Sequence, residues 1–186
     1  MASDRRAHIA DAAIVTIAGE GMRGVTHRAV DRAAGLPEGS TAYYFRTREA
    51  LLFAALARMT ELDVEDVGDL PGDLADLDAL TALLTALVRR WVTTSRERTL
   101  ARYELSLESS RRPELRAKMI EYGAGFRATA EAMLTAAGAS EPRRRGRALV
   151  AYVDGLVFDQ VVGVGARLDD AELAAACRDM LAMALG

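Results

Sequence analysis

Apolar residues recur at three- and four-residue spacing along nearly the whole chain. No stretch alternates with the period of two that a half-buried strand requires. Between Arg5 and about Ala18, the residues Ile9, Ala12, Ala13 and Ile17 fall on one helical face. The "GEGMRG" segment (Gly19–Gly24) then supplies glycines suited to a left-handed helix end. Thr26 is placed to cap a short helix through Ala34, with Val25 and Val30 as its apolar residues. Gly35 closes that helix, and Pro37 suits the first position of a third, where a missing N–H does no harm. This third helix lasts only two turns, to about Phe45. Thr47 caps a fourth, whose stripe is Leu51, Leu52, Ala55, Leu56 and Met59.

Beyond Leu62 the periodicity fails in "DVEDVGDLPGDLADLD" (Asp63–Asp78), which is acidic and broken by Gly68, Pro71 and Gly72. It predicts a connector. Five further helices follow, over about 74–95, 99–110, 113–137, 143–166 and 169–185. The expectation is an all-α chain of about nine helices, without internal repeats.

Composition narrows the class. Hydrophobic residues are 51% of the 186 but aromatics only 5%, so alanine, leucine and valine dominate, which favours helix over sheet. No apolar run approaches the length of a membrane span, and Asp4 and Asp11 make the start a poor signal peptide. Cys177 is the single cysteine, so neither an internal disulfide nor a thiolate metal cluster can form. A cytoplasmic protein is expected. The formal charge of −3 argues against indiscriminate nucleic-acid binding while leaving room for a small local footprint.

Two short helices joined by Gly35-Leu36 and flanked by longer ones have the length pattern of a helix-turn-helix DNA reader. Such a reader must present a small, polar first turn to a major groove. Glu38, Gly39, Ser40 and Thr41 meet that requirement. Tyr43 and Tyr44 offer hydroxyls with the reach to a phosphate, and Arg48 adds a charge at the next helix start. Thr26 and His27 open a helix whose N–H groups are free for a phosphate, and Arg28 beside them can reach base edges.

The stretch "VTHRAVDRAAGLPEGSTAYYFRTREALL" (Val25–Leu52) resembles the amino-terminal domain of the tetracycline-repressor (TetR-like) family of bacterial regulators. The resemblance is carried by Thr at the helix start, Ala-Gly-apolar at the turn, Gly-Ser-Thr, an aromatic followed by Phe, and a basic residue before an acid and "ALL". It implies a helix-turn-helix DNA-binding domain over 1–48 and a helical effector-binding and dimerisation domain over 49–186. It places DNA contacts at Thr26, His27, Arg28, Glu38, Gly39, Ser40, Thr41, Tyr43, Tyr44 and Arg48, and buries Phe45. Two positions depart from the family pattern. Ala42 stands where a tyrosine is frequent, and Asp31 where a small residue is common; Asp31 is expected to turn outward or to pair with Arg28 or Arg32.

The resemblance further implies a repressor that binds a palindromic operator as a dimer and is released by a small-molecule effector. For the dimer, Ala151, Gly155, Asp159 and Gly163 form a small-residue stripe beside Tyr152, Leu156 and Val162, and the last helix offers Leu173, Cys177, Met180 and Leu181. Trp91, Tyr103, Leu107, Met119, Tyr122 and Phe126 can line a partly apolar effector pocket, and can equally be ordinary core. No cofactor, metal site or enzymatic activity is expected. Both histidines, His8 and His27, lie in the expected DNA-reading segment, and no phosphate-cradling glycine loop occurs. The competing reading is a helical small-molecule-binding protein, or an enzyme, with a vestigial DNA-binding head.

Overall fold

The computed structural model describes residues 2–68 and 76–186, with side chains from Asp4 onward. Among these residues there are nine helices and no strand: α1 (Ala2–Gly24), α2 (His27–Ala33), α3 (Ser40–Tyr44), α4 (Arg48–Val67), α5 (Leu77–Val92), α6 (Arg96–Ser109), α7 (Pro113–Ala136), α8 (Pro142–Val162) and α9 (Asp170–Leu185). The all-α expectation holds. The described residues divide into two compact units. One holds α1 to α3, α4 as far as Asp66, α6 from Glu97, and α7 as far as Tyr122; the other holds α5, α7 from Gly123, α8 and α9.

Caps placed by sequence are found where expected. Thr26 accepts the Ala29 N–H at 3.1 Å, and Thr47 accepts that of Ala50 at 3.0 Å. Asp169 accepts from Ala171 and Glu172, whose own carboxylate accepts the Asp169 N–H, closing a capping box. Boundaries moved in several places. α3 begins at Ser40 rather than at Pro37, which lies outside the helix, and α6 begins at Arg96 rather than at about residue 99. α1 runs past the first glycines and breaks only at Gly21 (φ 64°), before a last turn to Gly24. α8 stops at Val162 rather than at residue 166, because Gly163 takes a non-helical ψ of 161° while its N–H still bonds back to Phe158 and Asp159. α4 continues to Val67, into residues expected to form the acidic connector. The rest of that connector, and the expected start of the fifth helix at residue 74, lie outside the described residues.

The extension of α4 has a specific cause. Arg98 of α6 pairs with Asp63 at 3.0 Å and also with Asp66, and the Tyr122 hydroxyl of α7 donates to Asp63. All three charged side chains are at most one-tenth exposed. The aspartates that read as loop are therefore the inward polar face of a helix. Burial pushes the Asp63 carboxyl above its ordinary value, although the Tyr122 hydrogen bond and the Arg98 charge pull the other way. Burial, and the adjacent Asp63 charge, push Tyr122 well above the usual phenol value.

The rest of the first unit's interior is apolar. Ile9, Ala13, Ile17, Val25, Val30, Leu51, Leu52 and Met59 are at most 2% exposed. Each large side chain so buried contributes roughly 1.5–3 kcal/mol. In the second unit α9 packs against α5 and α8, with Leu80, Val88, Leu149, Val157, Leu173, Cys177 and Leu181 between them. α8 lies close against α7 at Gly146, where a Cβ would lie 3.0 Å from the Glu131 backbone nitrogen.

Arg98 pairs with both buried carboxylates. Arg98→Ala is expected to lower unfolding stability by about 3–5 kcal/mol. Leu107→Ala, at a side chain 64% exposed, should change it by less than about 0.5 kcal/mol. Urea denaturation of both variants checks the contrast.

Candidate nucleic-acid interface

α3 has five residues, and its shape depends on its neighbours. The turn before it is built from Gly35 (φ 65°), which bonds to the Arg32 carbonyl, and Leu36, which bonds to that of Asp31. Gly39 (φ 91°) is the N-cap residue of α3 but supplies no side-chain hydrogen bond. A non-glycine residue is strained at either glycine. Asp31 of α2 supplies the missing cap. It is 3% exposed and accepts the N–H of Gly39 at 2.8 Å and of Thr41 at 2.7 Å.

The expectation that Asp31 turns outward or pairs with an arginine is thus corrected. Arg28 pairs with Glu38 at 2.9 Å, and Arg32 with Glu20 at 3.2 Å. Asp31 faces inward because two unpaired N–H groups of α3 offer it more than a solvated guanidinium would. Burial raises its carboxyl value, but the hydrogen bonds from Thr41 and Gly39, helped by nearby His27, more than reverse this and leave it below the ordinary one.

The ten expected contact residues fall into groups. Thr26, Arg28, Glu38, Gly39 and Tyr43 are exposed, Tyr43 to 81%. Ser40 and Tyr44 are half-buried; Ser40 donates its hydroxyl proton to the Pro37 carbonyl at 2.6 Å. The rings of Tyr43 and Tyr44 meet edge to face at 5.1 Å. Arg6 of α1 lies 5.7 Å from the Tyr44 ring centre and 5.2 Å from that of Phe45. Phe45 is 7% exposed, as the resemblance implies.

Three residues point elsewhere. Thr41 is fully buried, because its position on α3 faces α2, so its side chain is not on the reading surface. His27 donates from Nε2 to the Phe45 carbonyl at 2.6 Å, so that ring nitrogen is directed within the head. The Arg48 guanidinium donates to the carbonyls of Val25, at 3.2 Å, and Met22. Its role in the free protein is to tie α4 to the end of α1. Arg6 was missed by sequence reasoning: nothing local to it signals the aromatics of α3.

The six residues expected around an effector are divided between the two units. Trp91 and Phe126 belong to the second and meet edge to face at 6.1 Å. In the first, Tyr122 is taken up by Asp63, Tyr103 lies beneath Arg102 at 4.5 Å, and Met119 is half-buried. Leu107 is corrected to a surface residue, since its side chain is 64% exposed. An open groove of about 510 Å³ runs between α5 and α9, lined by Thr81, Thr85, Arg89 and Arg178 among others, and includes none of the six.

The expected interface residues also separate. On α8, Ala151, Tyr152, Gly155, Asp159, Val162 and the adjoining Gly163 are exposed, Tyr152 to 53%, and Leu156 is half-buried. On α9, Leu173, Cys177, Met180 and Leu181 are at most 8% exposed. Those four are corrected to core of their own chain, because their face of the helix is covered by α5 and α8.

The depressed carboxyl of Asp31 sets a pH dependence. A carboxyl below its unfolded value contributes stability that is fully present above about pH 4 and is lost as pH falls through the folded value. The stability difference between the parent chain and Asp31→Asn should therefore be constant at neutral pH and shrink in acid. Chemical denaturation at stepped pH measures it.

Comparison with known proteins bears on this geometry. Residues 9–55 match the model for bacterial regulatory proteins of the tetR family, and residues 75–186 match that for the tetracyclin repressor-like C-terminal domain. Comparison with curated proteins gives no match. Among solved structures, a TetR-family member from Streptomyces coelicolor A3 is 31% identical, with 98% of each chain covered and a TM-score of 0.75. The multidrug binding protein EbrR, in complex with ethidium, is 32% identical over 98% of this chain and 99% of its own, with a TM-score of 0.74. A transcriptional regulator from Rhodococcus sp. Rha1 shares the fold at 22% identity, with 97% and 95% coverage and a TM-score of 0.78. With both halves matched by family models and relatives above 30% identity over nearly its whole length, this chain belongs to the tetR family of bacterial transcriptional regulators.

Proposed function

We propose that the chain is a repressor that binds a palindromic operator as a homodimer and is released by a small-molecule effector. Residues 1–48 act as the DNA reader and 49–186 as the effector-binding and dimerising part. The observation that carries the reading is the exposed polar surface formed by Thr26, Arg28, Glu38, Gly39 and Tyr43 around a short helix held in place from beneath. Tyr43 contacts phosphate, with Tyr44 supporting it under Arg6, and Arg28 reads base edges once its pairing with Glu38 is exchanged for DNA. Regulation, rather than catalysis, is the activity. The protein works in the cytoplasm, where the operator is, and among the described residues no helix is long and apolar enough to cross a membrane.

The second subunit docks on α8. Ala151, Gly155 and Asp159 leave room for a facing helix, and Tyr152, Phe158 and Val162 offer apolar area on the same side. Nothing lies within 4 Å of the place where a Cβ on Gly155 would be. The effector is a partly apolar small molecule held near Trp91 and Phe126. The class to try first is the aromatic cation, because EbrR has been captured with ethidium, proflavin and malachite green and an aromatic face attracts such a charge.

Footprinting on DNA upstream of the chain's own gene should reveal a protected palindrome, with affinity falling steeply as salt rises; absence of protection there and at neighbouring promoters would sink the repressor reading. Tyr43→Ala should weaken binding to all sequences alike. Arg28→Ala should cost roughly 1–3 kcal/mol and relax preference at one base pair per half-site. Gly155→Trp should convert a dimer to a monomer in sedimentation; an unchanged sedimentation coefficient would remove α8 as the interface. Ethidium titration should quench the single tryptophan, Trp91, and release the DNA.

A further inference from the structure

His27 and Asp31 stand one turn apart on α2, on one face of the helix. Each reaches a different end of α3. Asp31 accepts the N–H groups of Gly39 and Thr41 at the amino end, and His27 donates to the Phe45 carbonyl at the carboxyl end. The polarity matches what a helix presents: unsatisfied donors at its start meet a carboxylate, and an unsatisfied acceptor at its finish meets an N–H. The helix between them has no side-chain cap of its own, since Gly39 lacks one and the Ser40 hydroxyl is turned to Pro37. Five residues are far too few to be stable as an isolated helix.

We propose that His27 and Asp31 form a polar clamp that holds the reading helix by both ends and so fixes how Ser40 and Tyr43 are presented to DNA. Both are positioning residues for operator recognition. His27 acts through the Phe45 carbonyl rather than through a phosphate, and Asp31 fills the amino end of α3 with a protein carboxylate. Specificity depends on the clamp because Ser40, in the first turn presented to the major groove, would contact matched and mismatched base pairs with similar ease if α3 were loosely held.

This inference rests on the DNA-reading function proposed above. A duplex enriched from a random-sequence DNA pool by the parent protein serves as the probe, together with its single-base variants. Asp31→Asn keeps the shape but can accept only one N–H in place of two, and His27→Leu removes the donor, whereas His27→Gln retains one. Asp31→Asn and His27→Leu are expected to lose about tenfold in affinity and to discriminate less between the duplex and its variants. Their helical content and the slope of affinity against salt should be unchanged, and His27→Gln should fall within about threefold of the parent. Amide exchange of Thr41 should quicken in Asp31→Asn alone. Parent-like discrimination in Asp31→Asn and His27→Leu overturns the clamp. So does a His27→Gln that fails as badly as His27→Leu, or a salt slope in His27→Leu reduced by one phosphate contact. If Asp31→Asn unfolds the head, the two His27 variants decide. A parent protein that enriches no sequence removes the DNA-reading function itself and the clamp with it, an outcome distinct from enrichment followed by parent-like variants.

Discussion

A five-residue helix cannot hold itself together, and the reading surface of this protein is built on one. Nucleating a helical turn fixes several dihedral angles for a single hydrogen bond. α3 makes only a few such bonds before it ends at Phe45. Its geometry is therefore set by α2, through the carboxylate of Asp31, the ring of His27 and the burial of Thr41 and Phe45. α2 is in turn fixed by the Thr26 cap and by Val30, which is wholly buried. The polar grip matters because apolar contact alone is non-directional: it keeps a short helix close to its support without fixing its rotation.

The same logic recurs along α4. At its start, Arg48 joins the helix to the carbonyls that end α1 and precede α2. Near its end, Asp63 and Asp66 meet Arg98 and Tyr122. Both ends are thus held by charge-assisted hydrogen bonds, with an apolar stripe from Leu51 to Met59 between them. A buried ion pair is weak support for stability as such, but it fixes register, since a slipped α4 would leave buried carboxylates uncompensated.

Much of this was legible in the sequence. The Thr26 and Thr47 caps, the Gly35 turn and the apolar stripes of α1 and α4 are local signals, each decided by residues within one or two turns. The buried place of Phe45 and the exposed place of Tyr43 were also readable, the first through the family resemblance. The inward turn of Asp31, the burial of the Thr41 side chain and the backbone ties of Arg48 were not foreseen, for one reason. A polar side chain near a surface motif is assigned to the surface unless its buried partner is known, and those partners lie 8 to 26 residues away in sequence. Likewise the acidic run after Leu62 suggested a loop, because Arg98 and Tyr122 are not near it in the chain.

By itself the sequence determined the helical class, the placement of most helix ends, and the short-helix pair that marks a regulator of this family. These follow from capping, turn stereochemistry and period, all set by near neighbours. Tertiary structure decided which polar residues face inward and which face of α9 is core. It also decided that Gly146 rather than Gly155 marks a close helix approach within the chain. Those outcomes depend on which helix covers which, and the identity of a covering partner is a long-range property that no local pattern contains.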